Sequence, residues 1–235
     1  MSYFISVPAR VRQVVFLVRE YFFPFGCSLC GADLLNDVEA WYGMCETCRD
    51  GIERELKESR AGERCDYCGK PLISEHGRCL SCREGEGRSY DRVQVLFPYT
   101  GKYRQLLSAY KFGKNPAVGN FLAEKILEAL GSFPPEAKVV PVPPRPGKIH
   151  KTGWDQVEYL TRLLERSGGG ALISRCLKRM PSKSQKELGR ENRRSNLRGR
   201  IMPVRSSLPN AARNATVPAP VESPDVSRSK KSRSW

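Results

Sequence analysis

The sequence predicts an α/β protein that opens with a cysteine-rich module and closes with a disordered tail. Three observations predict it. Eight of the nine cysteines fall in four Cys-x-x-Cys pairs, Cys27/Cys30, Cys45/Cys48, Cys65/Cys68 and Cys79/Cys82. From residue 89, strand-like and helix-like apolar patterns alternate, as they do around a largely parallel sheet. Residues 202–235 are poor in apolar groups and biased to Pro, Ser and Arg.

The cysteine pairs specify a metal. A Cys-x-x-Cys turn presents two thiolates to one ion, and two turns complete the tetrahedral shell that structural Zn²⁺ prefers. Fourteen residues separate the first two pairs and ten the second two. Intervals this short favour two local zinc ribbons, with consecutive pairs sharing an ion, each built from short antiparallel knuckles. Disulfides are the alternative use of an even count, but they need an export signal. Residues 1–10 lack the charged start, apolar stretch and small-residue cleavage site in the right order. A rubredoxin-type iron centre is the other alternative. His76 lies inside the second ribbon, where four thiolates already suffice, and reads as a solvated loop histidine. Cys176 has no partner and reads as a buried thiol.

Residues 9–23 repeat apolar groups at helical spacing (Val11, Val14, Val15, Val18, Phe22), so residues 1–22 are assigned to an N-terminal amphipathic helix. Its longest apolar run, 14–18, is too short for the roughly 20 residues of a membrane span. No transmembrane segment is expected, and the cytoplasm is the expected location. The double ribbon occupies 23–88, with 84–88 as a linker. Val93, Val95 and Phe97 alternate as a strand, and Thr100 offers an N-cap to a helix carrying Leu106, Leu107, Tyr110 and Phe112. A second helix runs from about 117 to 130, closed by Gly131. Residues 139–143 form a short strand, 154–164 another helix, and 171–173 a further possible strand.

The loop after residues 139–143 carries Arg145, Lys148 and Lys151 among glycines, between a strand and a helix. Such loops hold phosphate oxygens, which makes Arg145, Lys148, Lys151 and Gly153 candidate phosphate-binding residues. An ordinary basic connection is the competing reading. Lys151-Thr152-Gly153 also matches an element of serine β-lactamases, but its usual partner motifs are missing. His150 lacks an orienting carboxylate for base catalysis. The formal charge of +15 is unevenly placed. Ten basic and two acidic residues lie in 175–200, and six basic and two acidic residues follow. A field that concentrated attracts polyanions, and Arg190, Arg193, Arg194 and Arg198 are the candidate nucleic-acid contacts. A solvated basic loop is the plainer alternative. No aromatic residue interrupts 175–200, so phosphate contact rather than base stacking is indicated.

Several motifs follow the cysteine pairs in order. They are Tyr99-Thr100-Gly101, Tyr110-Lys111-Phe112-Gly113, Val140-Pro141-Val142-Pro143 and Lys151-Thr152-Gly153-Trp154-Asp155-Gln156, then Gln185, Leu188, Arg193, Asn196 and Gly199. Over residues 20–201 this order and spacing resemble the ComF family of competence proteins. The resemblance implies a double zinc ribbon joined to a type I phosphoribosyltransferase-like α/β domain, here partial and spanning 89–201. It also implies a part in DNA uptake during natural transformation, with single-stranded DNA and other competence proteins as partners. If the domain is active, the resemblance implies phosphoribosyl pyrophosphate as ligand, with Mg²⁺.

The chain departs from that pattern. Thr152-Gly153-Trp154-Asp155-Gln156 stands where the family has Arg-Gly-Phe-Asn-Gln, so a negative charge sits beside the phosphate loop. Arg200-Ile201 stands where Ala-Phe is usual. Beyond residue 201 the family's strand with adjacent acids and its Thr-rich loop have no counterpart: the only later acids are Glu222 and Asp225. The expectation is a frame truncated or shifted near residue 201, with a genuine lineage in which the tail replaced the site as the other explanation, a disordered tail over 202–235, and a domain without catalytic competence. The alternative is an active phosphoribosyltransferase.

Overall fold

A computed structural model describes residues 10–11, 13–14, 17–18, 26–84, 90–91, 93–169, 172–181, 189, 196 and 199–204. In chain order the helices are α1 (Asp37–Tyr42), α2 (Glu46–Ala61), α3 (Leu80–Arg83), α4 (Gly101–Lys111), α5 (Pro116–Leu130), α6 (Lys148–Thr152) and α7 (Gln156–Leu164). The strands are β1 (Leu177–Arg179) and β2 (Ile201–Pro203), paired antiparallel with Leu177 opposite Pro203. The fold is therefore mixed and dominated by helix, with a small two-stranded sheet.

The expected parallel sheet is reduced, among the described residues, to one bridge. Val139 lies parallel to Ile173: its N–H donates to the Leu172 carbonyl at 2.8 Å and its carbonyl accepts from Ser174 N–H at 2.9 Å. Since α6 and α7 lie between the two, this is a minimal strand–helix–strand unit. Pro141, Pro143 and Pro144 explain why pairing stops there, for each lacks the N–H that a ladder needs. The strand expected at 93–97 is not one. Val93 N–H donates to the Tyr67 carbonyl at 3.0 Å, and Phe97 stacks on Tyr103 with ring centroids 5.5 Å apart. The segment runs from the second cysteine cluster to α4 without a partner strand among the described residues.

The periodic helices form as expected. In α5, Asn115 caps the Ala117 N–H, Pro116 occupies the first turn, and Gly131 follows. Gly119 lets α5 approach α7 closely, because a Cβ there would stand 2.8 Å from the Tyr159 ring. Helix α4 starts after Thr100 as expected, although the Thr100 side chain makes no capping bond. Phe112, expected on the apolar stripe, is 64% exposed, since it lies at the C-cap beyond the buried Tyr103, Leu106 and Tyr110. Residues 10, 11, 13, 14, 17 and 18 are helical, with Val11, Val14, Leu17 and Val18 exposed.

The main core crosses position 88. Tyr42 of α1, Met44 of the following turn, and Ile52 and Leu56 of α2 pack with Tyr103, Leu106, Tyr110, Val118 and Phe121 from α4 and α5. Polar contacts reinforce this. The Tyr42 hydroxyl donates to Glu124 at 2.6 Å, and Asn120 Nδ2 donates to the Trp41 carbonyl at 2.8 Å. Beside them the buried Lys125 amine reaches Glu53 at 2.6 Å and Glu128 at 2.7 Å. The second cysteine cluster has a small core of its own, with Tyr67 and Leu72 packed on Cys65, Cys79 and Cys82. Strand β2 carries the chain past residue 201, and Val204 N–H donates to the Cys176 carbonyl at 2.7 Å. Residues 205–235, the rest of the expected tail, lie outside the described residues.

Candidate metal centres and the basic loop

Two Cys-x-x-Cys units repeat one local design. In the first, the Gly26–Asp33 bridge closes a knuckle, Cys27 N–H donates to Ala32, and Gly31 N–H donates back to the Cys27 carbonyl. In the second, the Arg64–Pro71 bridge does the same, with Cys65 N–H on Lys70 and Gly69 N–H on Cys65. Gly31 and Gly69 take φ of 77° and 71°, the left-handed conformation that this turn requires. The other pair of each unit is not on a second knuckle, as the sequence suggested. Cys45 and Cys79 are the N-cap residues of α2 and α3, and Cys48 and Cys82 lie in their first turns. A helix start is well suited to thiolates, because its free N–H groups and dipole favour negative charge.

The sulfur geometry fits zinc. The eight cysteines form two groups, Cys27, Cys30, Cys45 and Cys48, and Cys65, Cys68, Cys79 and Cys82. Within each group all four Sγ atoms lie within 4.8 Å of one another. Cys30 Sγ is 3.7 Å from Cys45 Sγ, and Cys68 Sγ is 3.8 Å from Cys79 Sγ. A tetrahedral Zn–S₄ centre with bonds of about 2.3 Å has S···S edges of about 3.8 Å. A disulfide requires about 2.05 Å, and all nine cysteines are free. The two clusters can therefore hold two zinc ions, with consecutive pairs sharing each one.

Backbone donors prepare part of each set for ionisation. The Cys79, Cys68 and Tyr67 N–H groups bring the Cys65 thiol down to about 6, against a smaller effect of burial. Burial pushes Cys27 up, yet the N–H groups of Cys30, Cys45 and Leu29 outweigh it and bring it down to about 7. Burial, with the neighbouring thiols, pushes Cys82 up to about 12. Cys48 is also pushed up, again by burial first. His76 lies outside the cluster, exposed and 2.8 Å from Glu63, and Cys176 is buried as expected.

Two carboxylates support the helices that carry the second cysteine pair of each unit. Buried Glu39 accepts from Leu35 N–H at 2.6 Å and from Glu46 N–H at 2.8 Å. Glu75 accepts from Leu80 N–H at 2.6 Å. In both units the donor directly follows the first cysteine of the helical pair, so each carboxylate satisfies an otherwise free N–H of the first turn. Neither was anticipated. Asn36-Asp37-Val38-Glu39 is a legible capping pattern, and Asn36 does accept from Glu39 N–H at 2.9 Å, but the reach of the carboxylate to Glu46 is not local.

The four candidate phosphate residues lie together, Arg145 ahead of α6, Lys148 and Lys151 in it and Gly153 at its end, and their charge is partly used internally. Lys148 Nζ lies 2.6 Å from Asp155 Oδ2 and 3.0 Å from Gln156 Oε1. The other Asp155 oxygen caps α7, accepting from Val157 and Glu158 N–H at 3.0 Å each. Lys151 is exposed, and Gly153 closes α6 with φ of 66°. Trp154 is anchored between Tyr110 and Tyr159, at centroid distances of 5.5 and 4.9 Å. The basic candidates Arg190, Arg193, Arg194 and Arg198 lie outside the described residues. No helix among those described is long and apolar enough to cross a membrane.

No protein-family model, curated protein or solved structure matches the chain, so the ComF resemblance rests on the residues quoted for it.

Proposed function

We propose that this is a ComF-like, zinc-stabilised protein of DNA uptake that binds single-stranded DNA through phosphate contacts and transfers no phosphoribosyl group. The reading keeps residues 1–22 as an N-terminal helix, 23–88 as the double zinc module, 89–201 as a partial phosphoribosyltransferase-like domain and 202–235 as a tail. It places the protein in the cytoplasm, beside other competence proteins. The observation that carries the loss of transferase activity is the Lys148–Asp155 ion pair at 2.6 Å. A pyrophosphate entering that loop must displace a carboxylate only 5% exposed and already bonded to two backbone amides. The family's acidic strand is also missing from the sequence after Glu191. Attraction of polyanions needs neither feature, because Arg145, Lys151 and the cluster at 190, 193, 194 and 198 suffice for it.

One observation favours the second reading, an active phosphoribosyltransferase using phosphoribosyl pyrophosphate and Mg²⁺. The Val139–Ile173 parallel bridge places the basic loop after a strand and before a helix, where such ligands bind. Two assays separate the readings. Binding of a fluorescent single-stranded oligonucleotide should weaken steeply as salt rises, and further on charge reversal of Arg190, Arg193 and Arg194. Phosphoribosyl pyrophosphate with Mg²⁺ should release no pyrophosphate. Release that is abolished by Lys151→Ala establishes the enzyme instead.

A further inference from the structure

The two metal units share a design but differ in exposure and in what they support. In the second unit Cys65, Cys79 and Cys82 are buried and Cys68 is half-buried. In the first, only Cys27 is buried: Cys45 and Cys48 are half-buried, and Cys30 is exposed. Cys30 and Cys45 are also 3.7 Å apart and come from different halves of the unit, the knuckle and the α2 N-cap. The first unit belongs to the main core, with Cys27 inside it and Cys45 and Cys48 packed against it, whereas the second has a separate core.

We propose that the first unit is a peroxide-sensitive switch, in which oxidation joins Cys30 to Cys45, opens the metal site and loosens α1 and α2 from α4 and α5. Cys30 is the thiolate that a small oxidant reaches first. Its sulfur attacks one peroxide oxygen, the O–O bond breaks, hydroxide leaves, and a sulfenic acid forms. The Cys45 thiolate then attacks that sulfur, the S–S bond forms and the S–O bond breaks with loss of a second hydroxide. Two protons from solvent turn the hydroxides into water, and the two sulfur electrons lost match the two that peroxide gains. Closure needs the sulfurs to approach by about 1.7 Å, within reach of a knuckle turn. The unit then keeps two of its four thiolates, too few for a closed zinc shell. Because Cys45 is the N-cap of α2, the change is delivered to the helix that carries Ile52 and Leu56 into the core.

The test treats the zinc-loaded full chain with hydrogen peroxide and follows metal release with a chromogenic chelator. Disulfides are mapped by non-reducing peptide mass spectrometry. Tryptophan fluorescence reports the core, since Trp41 and Trp154 both pack against it. The expected result is loss of one zinc equivalent before the second, with a Cys30–Cys45 linked peptide and a fluorescence change in step. Dithiothreitol and zinc should reverse both. A Cys30→His chain keeps a zinc ligand without the oxidisable sulfur, and its first site should resist peroxide. Simultaneous loss of both ions, a linked Cys68–Cys79 peptide appearing first, or release without a fluorescence change overturns the proposal. Should the histidine variant fail to load, the wild-type peptide map decides alone.

Discussion

Glu39 holds the backbone N–H of Glu46 at 2.8 Å, and so ties α1 to the first turn of α2 beside Cys45 of the first cluster. Glu39 accepts a second N–H, from Leu35, and is buried, so its removal strands two donors. Glu39→Ala should destabilise the zinc-loaded protein by about 2–3 kcal/mol, and Glu75→Ala, which strands one donor, by about 1 kcal/mol. Urea unfolding in excess zinc measures both. Equal costs would show that the second donor, the Leu35 N–H, adds nothing.

Zinc content is the most direct check on the two centres. Elemental analysis of freshly purified protein should find about two ions per chain, and a double Cys→Ser change in either unit should remove one. Each site should contribute on the order of 10 kcal/mol of binding free energy, so a strong chelator should unfold both units. A content near zero in unchelated protein would refute the assignment.

Lys125 supplies the pH prediction. Burial pushes its amine down, but the carboxylates of Glu128 and Glu53 outweigh this and hold it above its ordinary 10.5. A base raised in the folded state contributes fully below 10.5 and loses that contribution as pH climbs through the higher folded value. Lys125→Met should therefore cost about 2–3 kcal/mol at pH 7, less than a fully buried pair because Glu128 is 42% exposed. The cost should be the same at pH 9 and shrink only above 10.5. Denaturation curves at pH 7, 9 and 11 give the comparison, and a cost that already falls between 7 and 9 contradicts it.

Gly119 sits where α5 meets α7. An added methyl would stand 2.8 Å from Tyr159 Cε1 and 3.2 Å from both Leu163 and Tyr110. Gly119→Ala should cost about 1–3 kcal/mol through overpacking, despite alanine's better helix propensity. A thermal midpoint at or above wild type would show that the rings move aside freely.

How much of this was legible in sequence depends on how local each feature is. The Cys-x-x-Cys pairs were readable because the turn itself sets the ligand geometry. So were α5 and α7, whose apolar stripes recur every three or four residues. Helix α2 was missed because, among the residues whose burial is described, Ile52 and Leu56 alone are buried and apolar in it, and the segment reads as a spacer between cysteine pairs. The alternation of Val93, Val95 and Phe97 is real but has another cause. Val95 packs over Gly69 and Phe97 over Tyr103, contacts with different elements that imitate the period of a sheet. The basic loop showed its cations, while the Lys148–Asp155 pair spans seven residues across α6 and depends on how that turn closes.

The repeated cysteine unit has a consequence for metal scarcity. One copy is wedged among α4 and α5, and the other keeps to its own small core. If both copies take zinc as proposed, a chain carrying a single ion is not one species but two isomers, distinguished by which copy is filled. Emptying the second copy would then weaken the small separate core, and emptying the first would weaken the main one. Under starvation, the order in which the copies fill would decide how many molecules are usable.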